Sequence, residues 1–137
     1  MTYEEVLEAL QKFQKVKRER DGLIRQKAEI TETVLGSPLL DGLPHGTSVS
    51  NPTANVGAKL AEIDAELERK IIDCADALLM IEGLLDFVSD EQRRTVLRME
   101  YIYGMTYKQI GDKIGYCDRS VSRMVRAARE EIAERCP

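Results

Sequence analysis

Tryptophan is absent from this 137-residue chain, and five tyrosines and two phenylalanines bring the aromatics to only 5%. A large β-sandwich core is a poor fit to so few rings. Histidine occurs once, at His45, and the cysteines Cys74, Cys117 and Cys136 are widely spaced with no C-x-x-C pair. A zinc site needs about four converging nitrogen or sulfur ligands, so no metal is expected. An odd number of distant thiols is equally unlike a disulfide framework and reads as reduced cysteine in a cytoplasmic protein. No run of about 18 apolar residues occurs, and the acidic, amphipathic start MTYEEVLEAL lacks a signal-peptide core. No membrane partner is expected. Gly42, Gly46 and Gly57 lack the spacing of a phosphate-cradling loop. His45 has no neighbouring nucleophile or acid with which to form a catalytic group. The chain therefore reads as a non-enzyme, with no cofactor and no small-molecule substrate.

Charged residues are abundant, at 32%, and unevenly placed. Residues 1–90 carry 10 Lys+Arg against 17 Asp+Glu, whereas residues 91–137 carry 10 against 7. A net charge of −4 thus hides a basic C-terminal third, and the asymmetry is more informative than the total.

The spacing predicts an all-α protein. From Thr2 to Leu35, Val6, Leu10, Phe13, Val16, Leu23 or Ile24, Ile30 and Val34 recur at helical steps. Gly22 is a weak point in that helix. Residues 36–57 hold three of the four prolines and four glycines and read as a long loop. From Ala58 to Val88, the positions Leu60, Ile63, Leu67, Ile71, Cys74, Leu78, Ile81, Leu85 and Val88 alternate steps of three and four, the pattern of a coiled-coil seam. That seam must be covered. Two partners fit it: the first helix folded back as an antiparallel, coiled-coil-like hairpin, or a second copy in a homodimer. The expected division is a helical hairpin over 1–88 and a second domain over 89–137.

Three short helices are expected in the second domain. Ser89-Asp90-Glu91-Gln92 has the form of a capping box with Ser89 as N-cap, opening a helix over 90–103 that stops at Gly104 and turns Val96, Leu97 and Tyr101 inward. Thr106-Tyr107-Lys108-Gln109 opens the next, which runs to Ile114 and stops at Gly115; Ile110 and Ile114 face the core. Gly111 leaves room for a steep helix crossing. Gly115-Tyr116-Cys117 makes the turn, and Asp118 is the expected N-cap of the last helix. There Val121, Val125 or Met124, Ala128 and Ile132 form the buried stripe.

The rest of that helix carries the candidate chemistry. Arg119, Ser120, Ser122, Arg123, Arg126 and Arg129 lie between the apolar positions, and residues 119–129 contain no acid. Arginine forks suit guanine edges and phosphates, and the first residues of a recognition helix reach the bases. Arg119, Ser120 and Arg123 are therefore the expected base readers, with Arg126, Arg129, Lys108 and Arg94 as phosphate contacts. Duplex DNA is the expected partner. Tyr101 and Tyr107 are expected to pack, with their hydroxyls at the edge.

The stretch RRTVLRMEYIYGMTYKQIGDKIGYCDRSVSRMVRAAREEI resembles region 4 of sigma-70-type factors. The resemblance rests on Val96-Leu97, Met99, Tyr101, Gly104, Thr106-Tyr107, Gln109-Ile110-Gly111, Ser120-Val121, Arg123 and Ala127-Ala128, over about 45 residues. Along its length the chain is similar to small proteins of Gram-positive phages and prophages, including RinA- and ArpU-type late-gene regulators. That resemblance implies a helix-turn-helix, transcriptional regulation and RNA polymerase as a further partner. A promoter-melting region is missing, so the chain is not a complete sigma factor. Two other readings compete: a packaging protein resembling a small terminase subunit, and a polymerase-binding adaptor without DNA affinity.

Overall fold

The computed structural model describes residues 1–35 and 51–137. It contains five helices and, among the described residues, no strand: α1 (Tyr3–Leu35), α2 (Asn51–Leu85), α3 (Glu91–Tyr101), α4 (Tyr107–Ile114) and α5 (Asp118–Arg135). The expected loop at 36–57 is cut short from its C-terminal side, because α2 already begins at Asn51. Pro52 in the first turn does not oppose this; the N–H it lacks has no intrahelical partner there. Residues 36–50, including His45, lie outside the described residues. α1 runs through Gly22 without a break.

α1 opens with a capping box. Thr2 Oγ1 accepts from the Glu5 backbone N–H at 3.2 Å, and Glu5 Oε2 accepts from the Thr2 N–H at 3.1 Å. Glu4 and Glu5 also place negative charge at the helix N-terminus, where the dipole favours it.

The chain divides into two compact units. The first joins Met1–Val16 to Cys74–Pro137, so it takes in the start of α1 and the end of α2 together with α3, α4 and α5. This boundary falls elsewhere than residue 88. The cause is one shared core: Val6, Leu10, Ile81, Leu85, Val88, Val96, Leu97, Ile110, Val121, Val125 and Ile132 are all fully buried in it. Each such side chain contributes roughly 1.5–3 kcal/mol by leaving water. Polar contacts tie the same parts together. Gln14 Nε2 donates to the carbonyl oxygens of Tyr101 and Ile102 at 3.1 and 2.9 Å, satisfying orphan acceptors at the end of α3. The Arg98 fork meets the Glu82 carboxylate at 3.3 and 2.8 Å.

The second unit, Lys17–Asp73, is built from the remainder of α1 and α2. Ile63 is buried there, Leu23, Leu60 and Leu67 are half-buried, and Ile24 is turned to solvent. Ion pairs at 2.7 Å join Lys27 to Asp64 and Lys70 to Glu19. The Glu19 carboxylate, accepting a hydrogen bond, pushes the Lys70 pKa above its usual value. Ile71, expected inside the seam, is instead 52% exposed. No helix among the described residues is long and apolar enough to cross a membrane.

Candidate functional site

α5 begins where the chain is held tightly. Gly115 has a left-handed φ of 83°, and its N–H and that of Tyr116 both donate to the Gly111 carbonyl, at 2.8 and 3.0 Å. A Cβ at position 111 would collide with the Tyr116 carbonyl oxygen. Gly111 is thus required by the backbone of the turn it precedes, and not, as its small size suggests, by a helix crossing. The capping box at Thr106 and Gln109 is formed in both directions, at 3.2 and 2.9 Å. Thr106 thereby fixes the start of α4, and Gly115 its end.

Two expected caps differ. Asp90, not Ser89, is the N-cap of α3, its carboxylate accepting from the Gln92 N–H. Ser89 is drawn away by Glu131, whose Oε1 accepts from both the Ser89 hydroxyl and its N–H, at 2.7 and 3.1 Å. These hydrogen bonds, helped by Arg135 and Arg93, hold the Glu131 carboxyl below its ordinary pKa. Cys117 is the N-cap of α5, and Asp118 falls in the first turn, where its charge still suits the helix dipole. The exposed Cys117 thiol lies 3.4 Å from Ser120 Oγ. Its pKa is lowered by the Ser120 side chain and then by backbone N–H groups at the helix start. α3 stops earlier than Tyr103, at Tyr101, and Gly104 supplies a left-handed φ of 67° in the following turn.

The inward stripe of α5 is Val121, Val125, Ala128 and Ile132, all buried; Met124 is half-buried against them. Arg119, Ser122, Arg123 and Arg126 are exposed, and Ser120 is half-buried beside Cys117. Arg119 and Arg123 have no ion-pair partner among the described residues. Arg126 pairs with Glu130 one turn on, at 3.3 Å, and remains 76% exposed. Lys108 is exposed in the first turn of α4, and Arg94 is half-buried near the start of α3.

Arg129 has different surroundings from the other arginines. Its side chain is only 17% exposed and lies 3.4 Å from Glu100 Oε1. It donates to the hydroxyls of Tyr3 and Tyr107, each at 3.4 Å, and its guanidinium sits 5.5 Å from the centre of the Tyr101 ring. Four elements, α1, α3, α4 and α5, therefore meet on one cation. Burial raises the pKa of Glu100 against the opposing pull of Arg129 and Tyr107, and burial also pushes the Tyr101 phenol up. Tyr101 is buried and Tyr107 half-buried, with both rings packed on the core. The Glu100–Tyr3–Tyr107 partnership has no motif of its own, since its members are far apart in sequence. Its one local clue is that Arg129 follows the buried Val125 by four residues.

The family model described as "Protein of unknown function (DUF1492)" matches residues 49–133, more than half of the chain, with all of α3 and α4 and all but the last two residues of α5. The chain belongs to that family. No curated protein and no solved structure matches it.

Proposed function

We propose that this chain, a DUF1492 family member, is a phage-type transcriptional regulator that binds duplex DNA through a helix-turn-helix formed by α3, α4 and α5. The observation that carries the reading is the two-sidedness of α5. One face is sealed into the core at Val121, Val125, Ala128 and Ile132, while Arg119, Ser122, Arg123 and Arg126 project outward without an intervening acid. The side-chain hydrogen bonds that would tie Arg119 and Arg123 to the protein are missing among the described residues, so their donors are available to base edges or phosphates.

In this reading Arg119, Ser120 and Arg123 read bases from the start of the recognition helix. Ser122, Arg126, Lys108 and Arg94 contact or approach the phosphates. Arg129 positions the helix from behind. The fixed turn at Gly111–Tyr116 and the capped start of α4 support it, because base readout needs side chains held on rigid elements. The ion pairs Lys27–Asp64 and Lys70–Glu19 support an antiparallel hairpin of α1 and α2. A second copy would supply a second half-site, and Ile71 and Ile72, exposed on α2 within the second unit, are available for self-association. RNA polymerase enters as a further partner on the resemblance to sigma region 4 alone.

The test is Arg123→Ala. It should weaken binding to a selected duplex by about 1–3 kcal/mol and leave binding to scrambled duplex nearly unchanged. Equal loss on every sequence would make Arg123 a phosphate contact, and no loss would remove it from the interface.

A further inference from the structure

Beside the exposed face of α5 runs an open groove of about 660 Å³, bounded by Tyr3, Tyr107, Ser122, Arg126, Arg129 and Glu130, with Glu134 beyond them. Its lining carries both signs of charge. Along α5 its lining passes from Ser122 and Arg126, one helical turn apart, to Glu130 and Glu134.

Tyr3 is the informative residue. It comes from the first turn of α1, outside the α3–α5 segment, and its hydroxyl oxygen accepts from Arg129 Nη1 at 3.4 Å. A phenol has a single proton, and that of Tyr3 has no acceptor among the described residues. Accepting from a cation polarises the O–H and strengthens it as a donor. Tyr107 is arranged otherwise: it also accepts from Arg129, at 3.4 Å, but is half-buried on the core, with the Glu100 carboxylate on the same guanidinium. Ser122 is exposed with no side-chain hydrogen bond among the described residues. Arg126 is held only by Glu130 on the same exposed surface. Such pairs contribute little and exchange readily for a stronger anion.

We propose that this groove seats a backbone phosphate of bound nucleic acid at its Ser122–Arg126 end, with Tyr3 donating to it from α1. The inference rests on the DNA-binding reading above. A phosphate accepts three donors here: the Tyr3 hydroxyl, the Ser122 hydroxyl and the Arg126 guanidinium. Glu134 repels it from the far end, and Glu130 competes with it for Arg126.

The experiment titrates the full chain, as wild type, Tyr3→Phe, Glu130→Gln and Arg123→Ala, against a selected and a scrambled duplex at several salt concentrations, with a melting curve for each protein. Tyr3→Phe should weaken binding about 3- to 10-fold on both duplexes, as for one lost hydrogen bond, without changing the salt slope because no charge is removed. Glu130→Gln should tighten both several-fold by releasing Arg126. If Tyr3→Phe also lowers the melting temperature, Glu130→Gln still decides, since it lies on an exposed surface. Wild-type affinity in both Tyr3→Phe and Glu130→Gln, with loss of specificity in Arg123→Ala, would overturn the groove and leave the DNA reading standing. Absence of DNA binding by the wild type would overturn both.

Discussion

The Arg129 guanidinium lies 3.4 Å from the Glu100 carboxylate, in a pocket where their side chains are 17% and 19% exposed. This pair links α5 to α3 and, through the tyrosine hydroxyls, to α1 and α4. Removing one partner leaves the other charge largely desolvated. Arg129→Ala should therefore destabilise the fold by roughly 2 kcal/mol, less than for a fully buried pair because some solvent reaches it. Chemical denaturation checks this. A loss within about 0.5 kcal/mol would place Arg129 among ordinary surface residues.

Gly111 gives a prediction of opposite sign to other glycines of this chain. In a helix interior alanine is favoured over glycine by about 1 kcal/mol. At Gly22 and Gly83 a Cβ meets nothing within 4 Å, so Gly22→Ala and Gly83→Ala should each stabilise by about 0.5–1 kcal/mol. At Gly111 the Cβ meets the backbone carbonyl of Tyr116, which cannot swing aside as a side chain can. Gly111→Ala should lose about 1–3 kcal/mol despite the propensity gain. Thermal melts of the three variants compare the signs directly, and a stabilised Gly111→Ala would show that the turn relaxes freely.

The interior of α3–α5 was legible in sequence because apolar periodicity reports burial directly. Val96, Leu97, Tyr101, Ile110, Val121, Val125, Ala128 and Ile132 are buried as their spacing predicts. Helix ends were less legible where two groups compete for one residue. Ser89 has the form of an N-cap, but Glu131, 42 positions away, takes its donors and leaves the cap to Asp90. The start of α2 was hidden by Pro52 and Gly57: proline marks loops in general yet is tolerated in a first turn, and Gly57 in the second turn costs about 1 kcal/mol without ending the helix. By composition Arg129 belongs with the outward arginines. At 3.6 residues per turn it lies close to the Val125 row, and partners from three distant segments draw it inward. Ile71 fits the apolar spacing but is exposed, because the inward positions run Ile63, Leu67, Lys70, Cys74, Ala77 and Ile81, and a second successive step of four from Leu67 carries Ile71 off that stripe.

Acid should act on this fold in two opposing ways. The carboxyls of Glu82 and Glu131 are held below the ordinary glutamate pKa, by the Arg98 and Ser89 hydrogen bonds respectively. The stability they contribute is present above that ordinary value and is lost as pH falls through their lowered folded values. Glu100 is raised by burial, so its contribution is present below the ordinary value and is lost as pH rises through its raised folded one. Glu100→Gln should remove the component that titrates above the ordinary value and leave the more acidic loss in place. Melting temperature against pH for the two proteins checks this, and profiles of identical shape would contradict the assignment to Glu100.

Cys117 offers a chemical view of the start of α5. It is exposed with a lowered pKa, Cys136 is half-buried and Cys74 is buried. Alkylation followed by mass spectrometry should modify Cys117 first, Cys136 next and Cys74 only on unfolding. On the DNA reading, saturating duplex should slow the Cys117 reaction and leave Cys136 little changed. Equal slowing at both thiols would point to a general effect of DNA on the protein.

The most direct test of the central claim is selection of duplexes from a randomised pool by the full chain at two salt concentrations, followed by titration of the enriched duplex. The account predicts enrichment of a defined sequence, with affinity falling steeply as salt rises because phosphate-bound counterions are released. Absence of binding at both salt concentrations would contradict it and leave the outward face of α5 as a surface for a protein partner.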